Sequence, residues 1–259
     1  MSAETWATIA DLGTALGTLV LALATFSAVR SGNRTARAAE RSLLTSLRPL
    51  LLPSRLSDEP LKVNFGDNKW VRVPGGSAVA EIGGGDGRLG PRDSVIYFSV
   101  SLRNVGSGIA VLHGWRLITN LAPQPNEPMP PLSEFVMQTR DMYIPVGDVG
   151  FWQGAIRDLA DPRYPDARKT VENRGDWMVD LLYGDQEGGQ RAISRFRCQP
   201  RPWPAQPRDD GSPPGPGSGG HGDDGHGDDG HGDDDLWLAT VARHWTIDQP
   251  DPRSADRPE

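Results

Sequence analysis

Cysteine is nearly missing from this chain: Cys198 stands alone among 259 residues. That excludes an internal disulfide and any multi-cysteine zinc site, and it accords with a reducing compartment. Basic charge is missing from the beginning. No Lys or Arg precedes Arg30, and residues 12–29 carry no charge of either sign. A cleaved signal peptide has a basic start and a shorter apolar region, so this pattern opposes export. A basic surplus is missing as well. The net charge is −7, and nothing argues for the basic surface that nucleic-acid binding wants. The glycine-rich run at residues 83–87 has neither the lysine nor the following helix of a phosphate loop. Aromatic residues are sparse apart from tryptophan.

What is present organises the chain from its first turn. Residues 6–29 would reach about 36 Å as a helix, enough for a hydrocarbon core about 30 Å thick. Leu16, Leu19, Val20, Leu21, Leu23 and Phe26 supply the apolar bulk. Asp11 and Trp6 fall near one end, where headgroup water and an aromatic ring are compatible. Arg30, Arg34, Arg37, Arg41, Arg48 and Arg55 follow, and positive flanks stay cytoplasmic. The expectation is a single-pass plasma-membrane protein. Residues 1–5 lie outside, residues 6–29 cross the lipid bilayer, and the rest is cytoplasmic. A buried soluble helix is the alternative, because Gly, Thr and Ala dilute the span. Gly13 and Gly17 have the spacing that lets two helices pair as a homo-oligomer, though small residues are common throughout. Residues 30–48 continue as a basic juxtamembrane helix. Its arginines recur at three- and four-residue steps, as a stripe for anionic headgroups or as a solvated face. Pro49 ends it.

From Leu50 onward the pattern is mainly β. Short apolar runs alternate with Gly, Pro and Asp turns. Strands are expected at residues 50–52, 61–65, 69–73, 78–82, 95–102, 109–118, 135–137, 142–146, 149–153, 177–183, 191–198 and 236–247, the last bent near Ala242. Gly106 and Gly108 suggest a hairpin joining residues 95–102 to 109–118. Residues 184–189 form another turn. Residues 123–131, rich in proline, are expected to cross between sheets, and residues 166–172 to form one or two helical turns. The fold expected over residues 49–203 and 236–248 is an antiparallel β-sandwich, immunoglobulin-like topology included, with a flattened barrel as the alternative. Residues 249–259 read as a flexible tail.

Several segments resemble a known group. They are Leu102-Arg-Asn-Val-Gly-Ser-Gly-Ile-Ala, residues 182–196, Trp237-Leu-Ala and residues 244–253. With the N-terminal span, they are similar to a group of uncharacterised bacterial proteins, typical of actinobacteria, with one membrane helix and a β-rich domain. The resemblance implies architecture and brings no activity, cofactor or catalytic residue.

Residues 204–235 are of low complexity and end in three tandem repeats: HGDDG, HGDDG and HGDDD. Nine Asp and one Arg fall within residues 208–235, a balance of −8, so the rest of the chain is near +1. His221, His226 and His231 recur every five residues, with Asp223, Asp224, Asp228 and Asp229 between them. Imidazole and carboxylate together suit Zn, Ni or Cu. A period of five aligns with neither a helix face nor a strand face, and glycine makes ordering costly, about 1–2 kcal/mol per residue. The expectation is a disordered insert, with micromolar or weaker metal binding as the alternative.

No other constellation converges. Asp185 and Glu187 flank a glycine-rich turn and read as turn residues. His113 and His244 fall in strands, Cys198 has no partner motif, and Trp177, Trp237 and Trp245 suit the sandwich core or a cap at its edge. The functional expectation is a non-enzymatic protein-interaction module that takes no cofactor and binds an unidentified protein partner. The alternative is a metal-responsive module built on the repeat.

Overall fold

The computed structural model describes residues 3–66, 69–83, 95–121, 127–201 and 236–248. The expected insert and tail, and the loop after Gly83, lie outside them. The chain divides into two compact units, Met1–Leu47 and Arg48–Glu259.

The first unit is one α-helix, α1 (Ala3–Ser46). Span and basic continuation are therefore a single rod. Every side chain from Gly13 to Glu40 is exposed. By length and composition this helix is apolar enough to cross a membrane. Its hydroxyls turn inward: Thr18 Oγ1 donates to Thr14 O, and Thr25 Oγ1 to Leu21 O, each at 2.8 Å. The polar atoms that dilute the span thus carry partners on their own helix.

The second unit is a large antiparallel sheet that curls on itself. Its strands are β1 (Leu51–Pro53), β4 (Ser77–Gly83), β5 (Val95–Asn104), β6 (Ala110–Ile118), β7 (Val136–Ile144), β8 (Val149–Ile156), β9 (Trp177–Gly184), β10 (Arg191–Pro200) and β11 (Leu236–Thr246). Strands β2 (Leu61–Asn64) and β3 (Trp70–Val73) form a separate hairpin. The path runs β8-β5-β4-β11-β10-β9-β6-β7, with β1 extending the β4 side of β5. Side chains meet across the inside of the curl. Phe98 of β5 packs edge-on against Trp177 of β9, with ring centroids 5.1 Å apart. Trp152, Trp237, Phe196 and Tyr183 complete that core, and α2 (Tyr164–Glu172) adds Tyr164 and Ala167 to it. The mainly β fold, with one apolar N-terminal helix, is as the residue pattern indicates. Sandwich and half-barrel both describe the curl.

Two smaller apolar clusters cover the outside. The β2–β3 hairpin lays Val63, Phe65 and Val73 over Val79 and Tyr97. Phe135, Leu182, Ile193 and Trp245 form the other. Strand β5 is therefore buried on both faces, which is why its first half, Val95 to Phe98, is apolar without alternation. Trp177 and Trp237 fill the inner core as expected, whereas Trp245 packs on the outer face.

Three expectations about connectivity are corrected. Strands β5 and β6 are not a hairpin. β5 pairs with β1, β4 and β8, and β6 with β7 and β9. Residues 105–109 form an arch between them, held by Asn104. Its Nδ2 donates to Gly108 O (2.7 Å) and Ile144 O (3.0 Å), and its Oδ1 accepts from Gly106 N. The proline-rich connector does not cross between sheets either, because β6 and β7 are hydrogen-bonded neighbours. Residues 135–137 and 142–146 belong largely to one strand, β7, interrupted by a bulge. The bend expected near Ala242 is a bulge too: Arg195 pairs with Arg243, and Phe196 with Val241.

The insert leaves and re-enters at adjacent points. Pro200 pairs with Trp237, and Arg201 N donates to Leu236 O at 3.1 Å. Replacing residues 204–235 by a four-residue turn is three halvings of loop length. At about 0.6 kcal/mol each, the expected gain is about 2 kcal/mol. Urea unfolding checks it: the midpoint should rise, and a lost cooperative transition would show that the insert is part of the fold.

Candidate functional site

A curled sheet that fails to close leaves two strand edges facing each other, and unpaired edges are where another chain can add. Here those edges belong to β7 and β8. The cause is a local defect. In β6, Leu112 pairs with Tyr183 and Gly114 with Leu182, so His113 is an extra residue. On the other side Leu112 pairs with Met142 and Gly114 with Met137. Residues 138–141 of β7 therefore leave the ladder opposite His113 alone. They face β8, which among the described residues pairs with β5 alone. Across the seam Gln138 Nε2 donates to Gln153 O at a long 3.4 Å.

A cleft of about 380 Å³ lies along this seam. Its apolar wall is Phe65, Trp115, Val136 and Met137, and its charged lining is Arg140 and Arg157. Arg157 donates to Phe65 O at 3.0 Å, fixing the β2–β3 hairpin to the cleft mouth. Gly154 lets β8 settle on the tryptophans, since a Cβ there would meet Trp152 at 2.6 Å and Trp115 at 3.2 Å. No carboxylate, imidazole or thiol lines the cleft among the described residues. The groups offered are guanidinium, amide and one hydroxyl, Thr139. Such a set can hold an anionic or hydrogen-bonding ligand and contains no nucleophile–base pair.

A second arrangement does place a hydroxyl beside an imidazole. Ser194 Oγ lies 3.0 Å from His244 Nδ1 and 2.9 Å from the Tyr183 hydroxyl, which accepts from Leu51 N at 3.3 Å. Burial pushes the Tyr183 phenol up. Ser194 is buried beneath this chain, away from the cleft. The arrangement ties β1, β9, β10 and β11 together. His244 is thus more than the ordinary strand residue the sequence suggests. The clue was that Tyr183, Ser194 and His244 share the inner face once the β9–β10–β11 register is known.

On the outer face lies a row of charges in one register. Arg116, Asp180, Arg195 and Arg243 stand side by side on β6, β9, β10 and β11. Asp180 is fully buried and accepts four N–H bonds. Arg195 gives two at 2.6 and 2.9 Å, and Arg116 two at 3.0 and 2.7 Å. Glu127 binds Arg195 in turn, and Arg116 reaches Glu134. The Arg195 hydrogen bonds hold the Glu127 carboxyl below its ordinary value. Arg195 and Arg243 both lie over the Trp245 ring, 5.0 and 5.4 Å from its centroid. Three guanidiniums against three carboxylates leave this patch neutral, and it fastens residues 127–135 to the sheet.

Comparison with protein-family models, curated proteins and solved structures finds no match.

The metal-ligand set His221, His226, His231, Asp223, Asp224, Asp228 and Asp229 lies outside the described residues. Among the described residues, no three of His, Cys, Asp and Glu gather as a metal group. Asp185 caps its turn, accepting from Gly189 N at 2.8 Å, and Glu187 is exposed at the tip. Cys198 is buried, and burial raises its thiol well above the ordinary value, which suits an inert core residue.

Proposed function

We propose that this chain is a single-pass protein of the plasma membrane whose β-domain is a cytoplasmic protein-binding module. The observation that carries the anchor is the exposure of α1: Leu21 and Phe26 are 69% and 67% exposed. Water disfavours so long an apolar surface at about 25 cal/mol per Å², and lipid removes the penalty. Orientation follows from arginines after the span and none before it.

The interaction role is supported by what the β-domain offers: an open seam lined by guanidinium and apolar groups. Chemical cross-linking on intact membranes, followed by purification of the full chain under gentle detergent, tests it. A specific cross-linked partner is expected at stoichiometric yield. Recovery of the chain alone would count against the module.

A further inference from the structure

We propose that the free edge of β8 takes up an extended peptide of a partner protein as an added strand, and that this peptide carries an acidic side chain. The proposal rests on the protein-binding reading and says where the partner docks and what recognises it.

Strand β8 reads Val-Gly-Phe-Trp-Gln-Gly-Ala-Ile, eight residues without a charge or a proline. Exposed edges are ordinarily blunted by lysine, proline or a cover, and this one has none of its own. In an antiparallel ladder, alternate residues turn their N–H and C=O groups to the partner strand. Trp152 O is turned to β5, where it accepts from Ser99 Oγ at 2.8 Å. Gln153 O is turned the other way, to Gln138. The alternation then points the backbone groups of Phe151, Gln153 and Ala155 into the seam. Three such positions at two-residue spacing match a peptide of about six residues at about 3.3 Å each. The Gln138 amide at 3.4 Å is a poor occupant of Gln153 O. A peptide N–H at about 2.9 Å would replace it.

The seam also selects side chains. Arg140 and Arg157 are its charged lining residues, so a carboxylate is attracted and an ammonium repelled. Met137, 59% exposed beside Trp115, offers an apolar contact that adapts to its occupant. Backbone pairing supplies affinity, and these pockets supply discrimination.

The test uses the purified full chain in detergent micelles. The probe is a fluorescein-labelled seven-residue peptide alternating valine and threonine around one glutamate. Its controls carry lysine for glutamate, or N-methyl groups on either set of alternate amides. Fluorescence anisotropy should show binding of the glutamate probe. The lysine probe and at least one N-methylated set should bind at least tenfold more weakly. Arg140→Glu should weaken the glutamate probe at least tenfold and improve the lysine probe. Ala155→Pro removes one seam-facing N–H without touching the β5 ladder and should also weaken binding. Should that variant not fold, Arg140→Glu still decides. No binding by the glutamate probe, or equal binding by all probes, overturns the proposal. A partner cross-linked in membranes alongside a failed probe would remove the seam and leave the module standing. The reverse pair of results would do the opposite.

Discussion

Asp180→Asn is expected to destabilise the β-domain by about 3–5 kcal/mol, the cost of removing one partner from a buried ion pair. Asparagine keeps the shape of the side chain and loses the charge. Its NH2 group would also replace one acceptor oxygen, setting a donor against the N–H groups of Arg116 or Arg195. Glu127 and Glu134 compensate only in part, because both are more exposed than Asp180. At about 2–4 °C per kcal/mol for a domain of this size, the melting temperature should fall by roughly 10 °C. Paired replacement of Asp180 and Arg195 by Leu and Met should cost less, because the remaining Arg116 and Glu127 still face each other at 3.7 Å. A thermal melt of Asp180→Asn within a degree or two of the parent would show that the row does not hold residues 127–135 in place. By contrast, the exposed Arg168–Glu172 pair on α2 should contribute little.

Gly106→Ala is expected to cost roughly 3–5 kcal/mol. A Cβ at this position would lie 2.4 Å from both Arg48 O and Leu50 N. These are backbone atoms and cannot rotate aside. The chain entering β1 must therefore move, and two bonds are at stake: Ser107 N to Arg48 O at 2.9 Å and Val105 N to Leu50 O at 2.8 Å. Each contributes about 1 kcal/mol, and overpacking adds about 1–3 kcal/mol. Hydrogen exchange should show Val105 and Ser107 amides losing protection first. Parent-like protection there would mean that the arch absorbs the methyl group. Gly147→Ala makes a useful contrast: it meets no atom within 4 Å, and its cost comes from a φ of +78° alone.

The same arch shows where sequence reading runs out. Gly106 and Gly108 announce a reversal, and a reversal is there. Whether it joins neighbouring strands or leaps across a curl depends on Asn104 meeting Ile144, and Gly106 meeting Arg48, contacts forty to sixty residues apart. No local pattern encodes them. By contrast β9, its turn and β10 were legible, because a hairpin is a local object and its turn carries Gly, Asp and Glu in order. The bulge at Ala242 was legible as a break in alternation. The β7–β8 seam was not, since it goes with His113 of β6 and residues 138–141 of β7 leaving the ladder together, which only the register shows. The charged row was hidden for a similar reason. Arg116, Asp180 and Arg195 look like solvent-facing residues of separate strands until the register aligns them and residues 127–135 cover them.

The central claim is that residues 6–29 of α1 lie in lipid, with the chain from Arg30 onward in the cytosol. Protease added to intact bacterial spheroplasts, read with a tag at the C-terminus, tests it most directly. The account predicts a full-length, protected tag that sediments with membranes after alkaline carbonate extraction and becomes digestible only when detergent opens the cell. A tag removed from intact spheroplasts, or full-length protein left in the carbonate supernatant, would contradict it.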